Sequence, residues 1–133
     1  MAESSFTQTG VAELRAAVDG LPDRVTAALR DAARSTAARM KSAADATLRA
    51  QQKTAAHALA DAITITEDVP NKQVLVSSPA PRGQAANLPI WNEYGTVRMP
   101  ARPYMRPAAV AEDARYRADC ASAAAEAVAE ALR

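Results

Sequence analysis

The apolar positions between residues 22 and 60 recur at steps of three or four, which is the spacing of one face of an α-helix. Pro22 suits a helix start, where its missing N–H costs nothing, and Asp23 suits the positive end of the helix dipole. No Gly or Pro follows before residue 60. The pattern predicts one long helix over residues 22–60, with a stripe made of Val25, Leu29, Ala33, Thr36, Met40, Ala44, Leu48, Ala55 and Leu59.

The chain before this helix is expected to be less regular. Residues 1–9 are polar and are expected to form a loose arm. A short helix is predicted over Val11–Val18, and Asp19–Gly20 are expected to end it, since glycine commonly terminates helices. Residues 1–21 are therefore interpreted as an N-terminal arm and short helix, and residues 22–133 as a single domain.

A change of period after residue 60 indicates two β-strands. Residues 62–66 are rich in β-branched side chains and alternate apolar with polar positions. Residues 67–71 supply a turn that contains Pro70, and a second apolar run follows it. The pattern predicts a small antiparallel sheet that includes residues 62–66 and 73–77.

The second half of the chain combines an irregular stretch with another helix. Pro, Gly, Ser and Asn are spread over residues 77–89, so residues 78–90 are expected to be extended or mobile and to make contacts on assembly. After Pro107 a helical pattern runs to Arg133, with a stripe of Val110, Ala114, Arg117, Ala121, Ala124, Val128 and Ala131. The expected fold class is α+β, with a long N-terminal helix and a C-terminal helix packed on a small antiparallel sheet.

Composition changes this picture in one respect, the size of the core. Hydrophobic residues make up 49% of the chain, but roughly half of them are alanine, which favours helix yet buries little apolar area. A thin core makes a chain marginally stable alone, and assembly with other copies would supply the missing buried surface. The single cysteine, Cys120, cannot form an internal disulfide, which favours a reducing compartment.

Charge and motifs argue against several classes of function. A net charge of +1 counts against a generic nucleic-acid binder and gives no reason for docking on an acidic membrane surface. The sequence contains no Gly-rich phosphate loop, HExxH motif, paired cysteines or nucleophile elbow. Glu93 lacks a clustered second carboxylate, and His57 is a lone helical imidazole. No catalytic, cofactor-binding or metal-binding residue is therefore expected, and the chain is predicted not to be an enzyme.

The most informative segment is residues 91–108, which read WNEYGTVRMPARPYMRPA. Residues 93–96 supply Glu-Tyr-Gly-Thr, and residues 99–108 supply Met-Pro-Ala-Arg-Pro-Tyr-Met-Arg-Pro-Ala. This segment resembles the signature of phage tail-component proteins, the family named after gene product ten of a lambdoid phage from Hong Kong. The order of long helix, strands, signature and final helix over residues 22–133 is also similar to that family.

One departure from the family pattern lies just before the first predicted strand. Members often carry Thr-Gly-x-Leu-Arg-x-Ser-Ile there, whereas residues 54–63 lack the Gly and the Arg. No function is placed on residues 54–63.

The resemblance implies a structural virion protein, a ring-forming neck or tail-completion subunit at the head–tail junction of a tailed bacteriophage. It implies a homo-oligomer, for which six copies are favoured by analogy with tail symmetry. The implied neighbours are head-closure or connector proteins on one side and tail terminator or tail-tube proteins on the other. Neither a membrane nor a cofactor is implied. At most, the subunit would passively line the channel through which DNA passes. Such a subunit assembles in the host bacterial cytoplasm and ends in the virion.

Two alternatives stay open at this point. A tail terminator ring protein belongs to the same class and caps the tail tube by a similar ring. A small cytoplasmic nucleic-acid-binding protein belongs to a different class, for which the arginines and aromatic residues of residues 91–106 would be the warrant.

Physical reasoning about the same segment predicts a docking surface. Pro100, Pro103 and Pro107 stiffen the backbone, so the segment loses little entropy when it docks. Gly95 is expected to allow a turn that a side chain would obstruct. The arginines suit bidentate contacts with carboxylates of a neighbouring subunit, while the aromatic residues also suit ordinary core packing. The predicted interface residues are Trp91, Glu93, Tyr94, Arg98, Arg102, Tyr104 and Arg106.

Overall fold

A computed structural model describes residues 10–133 of the chain. The elements in chain order are helix α1 (Val11–Ala50), helix α2 (Thr54–Ala62), strand β1 (Thr64–Asp68), strand β2 (Gln73–Ser77), helix α3 (Leu88–Tyr94) and helix α4 (Met105–Ala131). The predicted α+β class is confirmed, because long N-terminal and C-terminal helices accompany a two-stranded antiparallel sheet. The expected loose arm at residues 1–9 lies outside the described residues.

The predicted helix break near Gly20 is wrong, because α1 runs without interruption from its first residue to Ala50. Pro22 lies inside the helix, where it removes the hydrogen bond that an N–H would donate to the carbonyl of Val18. Both Val18 and Pro22 are exposed, so water reaches this part of the helix and reduces the cost of the missing bond. Residues 11–21 therefore belong to the long helix.

The prediction of one helix over residues 22–60 is also wrong at its C-terminal end, where α1 and α2 are separate helices. No Gly or Pro marks the break at residues 51–53. Tertiary packing explains it, since the turn folds α2 back so that Leu59 and Ile63 are buried in one cluster with Leu48. Burial of these side chains outweighs the helix propensity of the turn.

Strands β1 and β2 form a hairpin whose register pairs Ile65 with Val76 and Thr66 with Leu75. The predicted second strand at residues 73–77 is confirmed, whereas the first strand spans 64–68 instead of 62–66 because α2 continues to residue 62. The hairpin lies on α1, where Val76 packs against the core.

Helix α4 packs antiparallel along α1, and one arginine ties the two helices together. The Nε of Arg39 donates to Glu112 at 2.7 Å, and its Nη2 donates to Asp119 at 2.9 Å. The stripe predicted for α4 is wrong, because Val110 is exposed whereas Ala127, which is outside that stripe, is buried. The inward face of α4 combines alanine with carboxylates.

One small core joins α1, α2 and the start of α4. It is thin, as the alanine content indicates, because half of its buried members are alanines. The large side chains that are fully buried are Tyr104, Leu48, Leu59 and Ile63.

The same substitution at two leucines of α1 separates core from surface. Leu48 is fully buried, whereas Leu14 is 55% exposed. We expect Leu48→Ala to lower the free energy of unfolding by about 2–5 kcal/mol, through lost burial and the cavity left behind. Leu14→Ala is expected to change it by under about 0.5 kcal/mol. Thermal unfolding followed by circular dichroism measures both, and equal effects would contradict the described core.

Candidate interaction surface

Glu93, near the end of α3, caps the N-terminus of α4. Its Oε2 accepts hydrogen bonds from the backbone N–H of Tyr104 at 2.9 Å and of Met105 at 3.0 Å. Its Oε1 accepts a third from the N–H of Arg106 at 2.9 Å. The first N–H groups of an α-helix have no intrahelical partner, and a carboxylate also suits the positive end of the helix dipole. One side chain therefore fastens α3 to α4.

The pKa of the Glu93 carboxyl is lowered from its ordinary value, although the side chain is partly buried. Burial by itself raises the pKa, because it disfavours the charged form. The three backbone N–H bonds and the nearby positive charge of Arg106 act in the opposite direction and together outweigh burial. Glu93 is therefore ionised in the folded chain at neutral pH, which suits a cap.

Asn92 and Gly95 hold the connection between α3 and α4. Buried Asn92 donates from Nδ2 to the carbonyl of Arg102 at 3.0 Å, and its own carbonyl accepts from the N–H of Arg102 at 2.7 Å. Gly95 has φ 77° and ψ 178°, a region essentially restricted to glycine. A Cβ there would lie 2.7 Å from the backbone nitrogen of Ala101 and 2.8 Å from the backbone oxygen of Met99. The predicted need for glycine at this turn is confirmed.

Residues 96–99 form a tight turn beside this connection. The N–H of Thr96 donates to the carbonyl of Met99 at 2.8 Å, and the N–H of Met99 donates back at 3.3 Å. The Oγ1 of Thr96 also accepts from the N–H of Arg98 at 3.2 Å. Val97 and Arg98 are both exposed at the tip. The turn therefore presents an apolar and a cationic side chain on a bonded backbone.

Tyr104 is a core residue, since only 1% of it is exposed. Its hydroxyl lies 2.6 Å from the Oγ of Ser78, and burial raises the pKa of the Tyr104 phenol. The pair joins the exit of β2 to the start of α4. The prediction of Tyr104 as an interface residue is corrected, because a side chain without accessible surface offers nothing to another chain.

The irregular stretch before α3 is shorter than predicted. Residues 78–87 are irregular, but residues 88–90 already belong to α3. The N–H of Gln84 donates to the carbonyl of Pro81 at 3.1 Å, which closes a turn. Leu88 packs against the core, so the stretch is fixed at the end that leads into α3.

A run of large apolar side chains on α3 and the following turn is exposed. Ile90 is 58% exposed, Trp91 39% and Tyr94 63%, and Val97 is fully exposed. The guanidinium carbon of Arg106 lies 5.0 Å from the centroid of the Tyr94 ring, a cation–π distance. We call this the aromatic–arginine surface and define it as Ile90, Trp91, Tyr94, Val97, Arg98 and Arg106.

The structure separates the predicted interface residues into two groups. Trp91, Tyr94, Arg98 and Arg106 are exposed on the aromatic–arginine surface. Arg102 is half-buried and is held through its backbone by Asn92, while Glu93 and Tyr104 support the fold from within.

Sequence reasoning missed Ile90, Val97 and Asn92. Recognition of α3 would have placed Ile90 and Tyr94 on one face, because residues four apart are neighbours on a helix. Pro89 at the start of α3 was an available signal for that helix. Val97 and Asn92 carry no comparable signal, since their roles depend on a turn that only the folded chain defines.

Within residues 10–133, no group of three or more His, Cys, Asp or Glu is arranged to hold a metal ion. No helix in the same range has both the length and the apolar character needed to cross a membrane. No known family model matches the chain, and no curated protein or solved structure is significantly similar to it.

Replacing Glu93 with glutamine removes the charge and keeps one oxygen acceptor. We expect Glu93→Gln to lower the free energy of unfolding at neutral pH by about 1–2 kcal/mol, the range for lost helix caps. Because the folded pKa is lowered, the contribution of Glu93 is present above its unfolded pKa, about 4.3. It is lost as the pH falls through the folded pKa. Urea unfolding at several pH values measures the gap between the two proteins, and a gap that persists in strong acid would contradict the cap.

The same substitution at two glycines tests the connection between α3 and α4, with Gly20 of α1 as the control for Gly95. We expect Gly95→Ala to cost at least about 1–3 kcal/mol from backbone strain, with the contact to Ala101 adding to it. Gly20 lies in α1 with open space around it, so Gly20→Ala is expected to stabilise the chain by about 0.5–1 kcal/mol. Opposite shifts in melting temperature are the expected result, and a neutral Gly95→Ala would show that the turn adapts.

Proposed function

We propose that the chain is a non-enzymatic structural protein of a tailed bacteriophage, a ring-forming neck or tail-completion subunit at the head–tail junction. The resemblance of residues 91–108 to the tail-component signature suggests this class. The exposed aromatic–arginine surface is the observation that supports it most. In this proposal the chain acts through contacts with further copies of itself and with connector-side and tail-side proteins of the virion.

The composition of the aromatic–arginine surface is that of a contact site. Neighbouring exposed apolar side chains on a soluble protein commonly mark an interaction surface. Trp, Tyr and Arg, which Trp91, Tyr94 and Arg98 supply here, are the residue types enriched among interface hot spots. Burial of these side chains against a partner removes apolar area from water, which stabilises the complex by about 25 cal/mol per Å² of buried apolar surface.

The backbone beneath the surface is already held in place before any contact forms. Glu93 fixes α3 to α4, Asn92 binds Arg102, and Gly95 allows the close approach of the chain to Ala101. Ordering flexible segments consumes part of the free energy of binding, so a surface that is fixed in advance loses less. This favours a permanent assembly role over a surface that forms only with its ligand.

The rest of the fold is compatible with a subunit that gains stability on assembly. Its core contains few large side chains, so neighbouring copies would add apolar burial that the chain alone lacks. In the described residues the sheet has only two strands, and the outer edge of each is unpaired.

A double substitution on the surface tests the assembly role. Tyr94 and Arg98 are exposed, so Tyr94→Ala/Arg98→Ala is expected to change the free energy of unfolding little, within about 0.5 kcal/mol per site. We expect the variant to lose the discrete large oligomers of the unsubstituted chain, because the contact loses its aromatic ring and its charge. Light scattering measures the oligomer, and the count of tailless heads in a lysate complemented with the variant measures head–tail joining.

Leu14→Ala is the matched control, since Leu14 is also an exposed apolar side chain but lies near the start of α1, whereas the aromatic–arginine surface lies on α3, the following turn and the start of α4. It is expected to assemble normally. Normal particle yield from the double variant would contradict the assembly role. Salt-dependent binding of a single-stranded oligonucleotide, lost in the double variant, would instead favour the small nucleic-acid-binding protein.

A further inference from the structure

The aromatic–arginine surface carries a net positive charge, because Arg98 and Arg106 outnumber the one carboxylate near them, Glu93. Residues 82–106 contain four arginines and one carboxylate, Glu93. Both oxygens of that carboxylate accept backbone N–H bonds. Within residues 10–133, neither Arg98 nor Arg106 forms a salt bridge. A partner that fits this surface therefore needs an apolar groove that can bury Trp91 and Tyr94, with exposed carboxylates at the edge of that groove.

A groove of about 580 Å³ between α1 and α4 has both properties. Small side chains form its floor and leave room for aromatic rings, because alanine projects little from a helix. Its lining includes Ala28, Ala32, Ala123 and Ala127.

The margin of this groove is acidic. Its lining contains four carboxylates and two arginines, which are Asp31, Asp119, Glu126, Glu130, Arg24 and Arg39. Arg39 is already bonded to Asp119 and Glu112. Glu126 and Glu130 are exposed and have no cationic partner within the described part of the chain. Asp31 is bonded to Arg34, which leaves Arg24 against Glu126 and Glu130. The open charge of the groove is therefore net negative, opposite to that of the aromatic–arginine surface.

The groove beside the hairpin lacks this match. It lies between α1, β2 and Tyr116, and its charged lining is Arg30, Lys72, Glu67 and Asp68. Arg34 already binds Glu67, so two cations face one remaining carboxylate. Arginines of an incoming surface would meet like charge there.

We propose that the aromatic–arginine surface of one copy docks in the α1–α4 groove of a second copy, with Arg98 and Arg106 facing Glu126 and Glu130. Arg106 and Glu126 are separated by about 30 Å along helix α4, at 1.5 Å of rise per residue. A chain therefore cannot fill its own groove.

The contact joins two different surfaces, so it is heterologous and repeats from head to tail until the ring closes. This inference rests on the proposed ring subunit and names the contact that builds the ring. Large side chains enter a floor of small ones, and opposite charges meet at the margin.

Two variants, each defective in one surface, test the pairing directly. The surface variant is Tyr94→Ala/Arg98→Ala, and the groove variant is Glu126→Arg/Glu130→Arg. Each is expected to be a helical monomer by circular dichroism and light scattering. Mixed in equal amounts, they retain one intact surface and one intact groove between them. The mixture is therefore expected to form a dimer of twice the subunit mass, without larger species.

Glu13→Arg/Asp19→Arg is the control, because it makes the same change in charge at exposed positions of α1 outside the groove lining. It is expected to assemble like the unsubstituted chain. Assembly of the groove variant into normal oligomers, or a mixture that remains monomeric, would overturn the pairing. Particle yield in complemented lysates judges the proposed function separately, since a ring built through another contact would still give infectious particles with the groove variant.

Discussion

Three backbone N–H groups at the start of α4 converge on the carboxylate of Glu93, and the arrangement of the C-terminal half depends on this contact. The cap joins α3 to α4 between Tyr94, which is exposed, and Tyr104, which is buried in the core. Without it, the positive end of the α4 dipole would lack its counter-charge and the connection after Gly95 would lose an anchor. One carboxylate therefore connects the helix that presents Tyr94 to solvent with the helix that begins beside buried Tyr104.

Much of the fold was predictable because its signals are local. The α1 stripe holds, since Leu48 and Ala44 are buried where the spacing places them, and the hairpin follows from alternation of apolar and polar positions. The break at residues 51–53 was not predictable, because burial of Leu59 and Ile63 produces it and no turn residue announces it. The face of α4 was misjudged for a related reason. Alanine lies on every side of that helix, so its apolar pattern does not distinguish inside from outside.

The same difference between local signals and tertiary packing applies to the candidate site. Residue type on a proline-stiffened segment singled out Trp91, Tyr94, Arg98 and Arg106, but the exposure of the two aromatic rings was not predictable, because such rings also suit core packing. The role of Glu93 was not predictable either, because its partners lie 11–13 residues further along the chain and reach it only once the connection after α3 has brought the start of α4 back to Glu93. A lone glutamate in a sequence does not reveal whether it faces solvent, a partner or a helix end.

Alanine links the weak core to the proposed mode of assembly. Small side chains let α1 and α4 approach closely but bury little area, so the paired helices rely on the partly buried contacts of Arg39 with Glu112 and Asp119. The same small side chains leave a groove between the two helices, where Glu126 and Glu130 keep their charge in water. A composition that gives a single subunit little apolar burial therefore also gives it a surface on which the large side chains of a neighbour can be buried. Stability that the chain lacks alone would then come from the contact that builds the assembly.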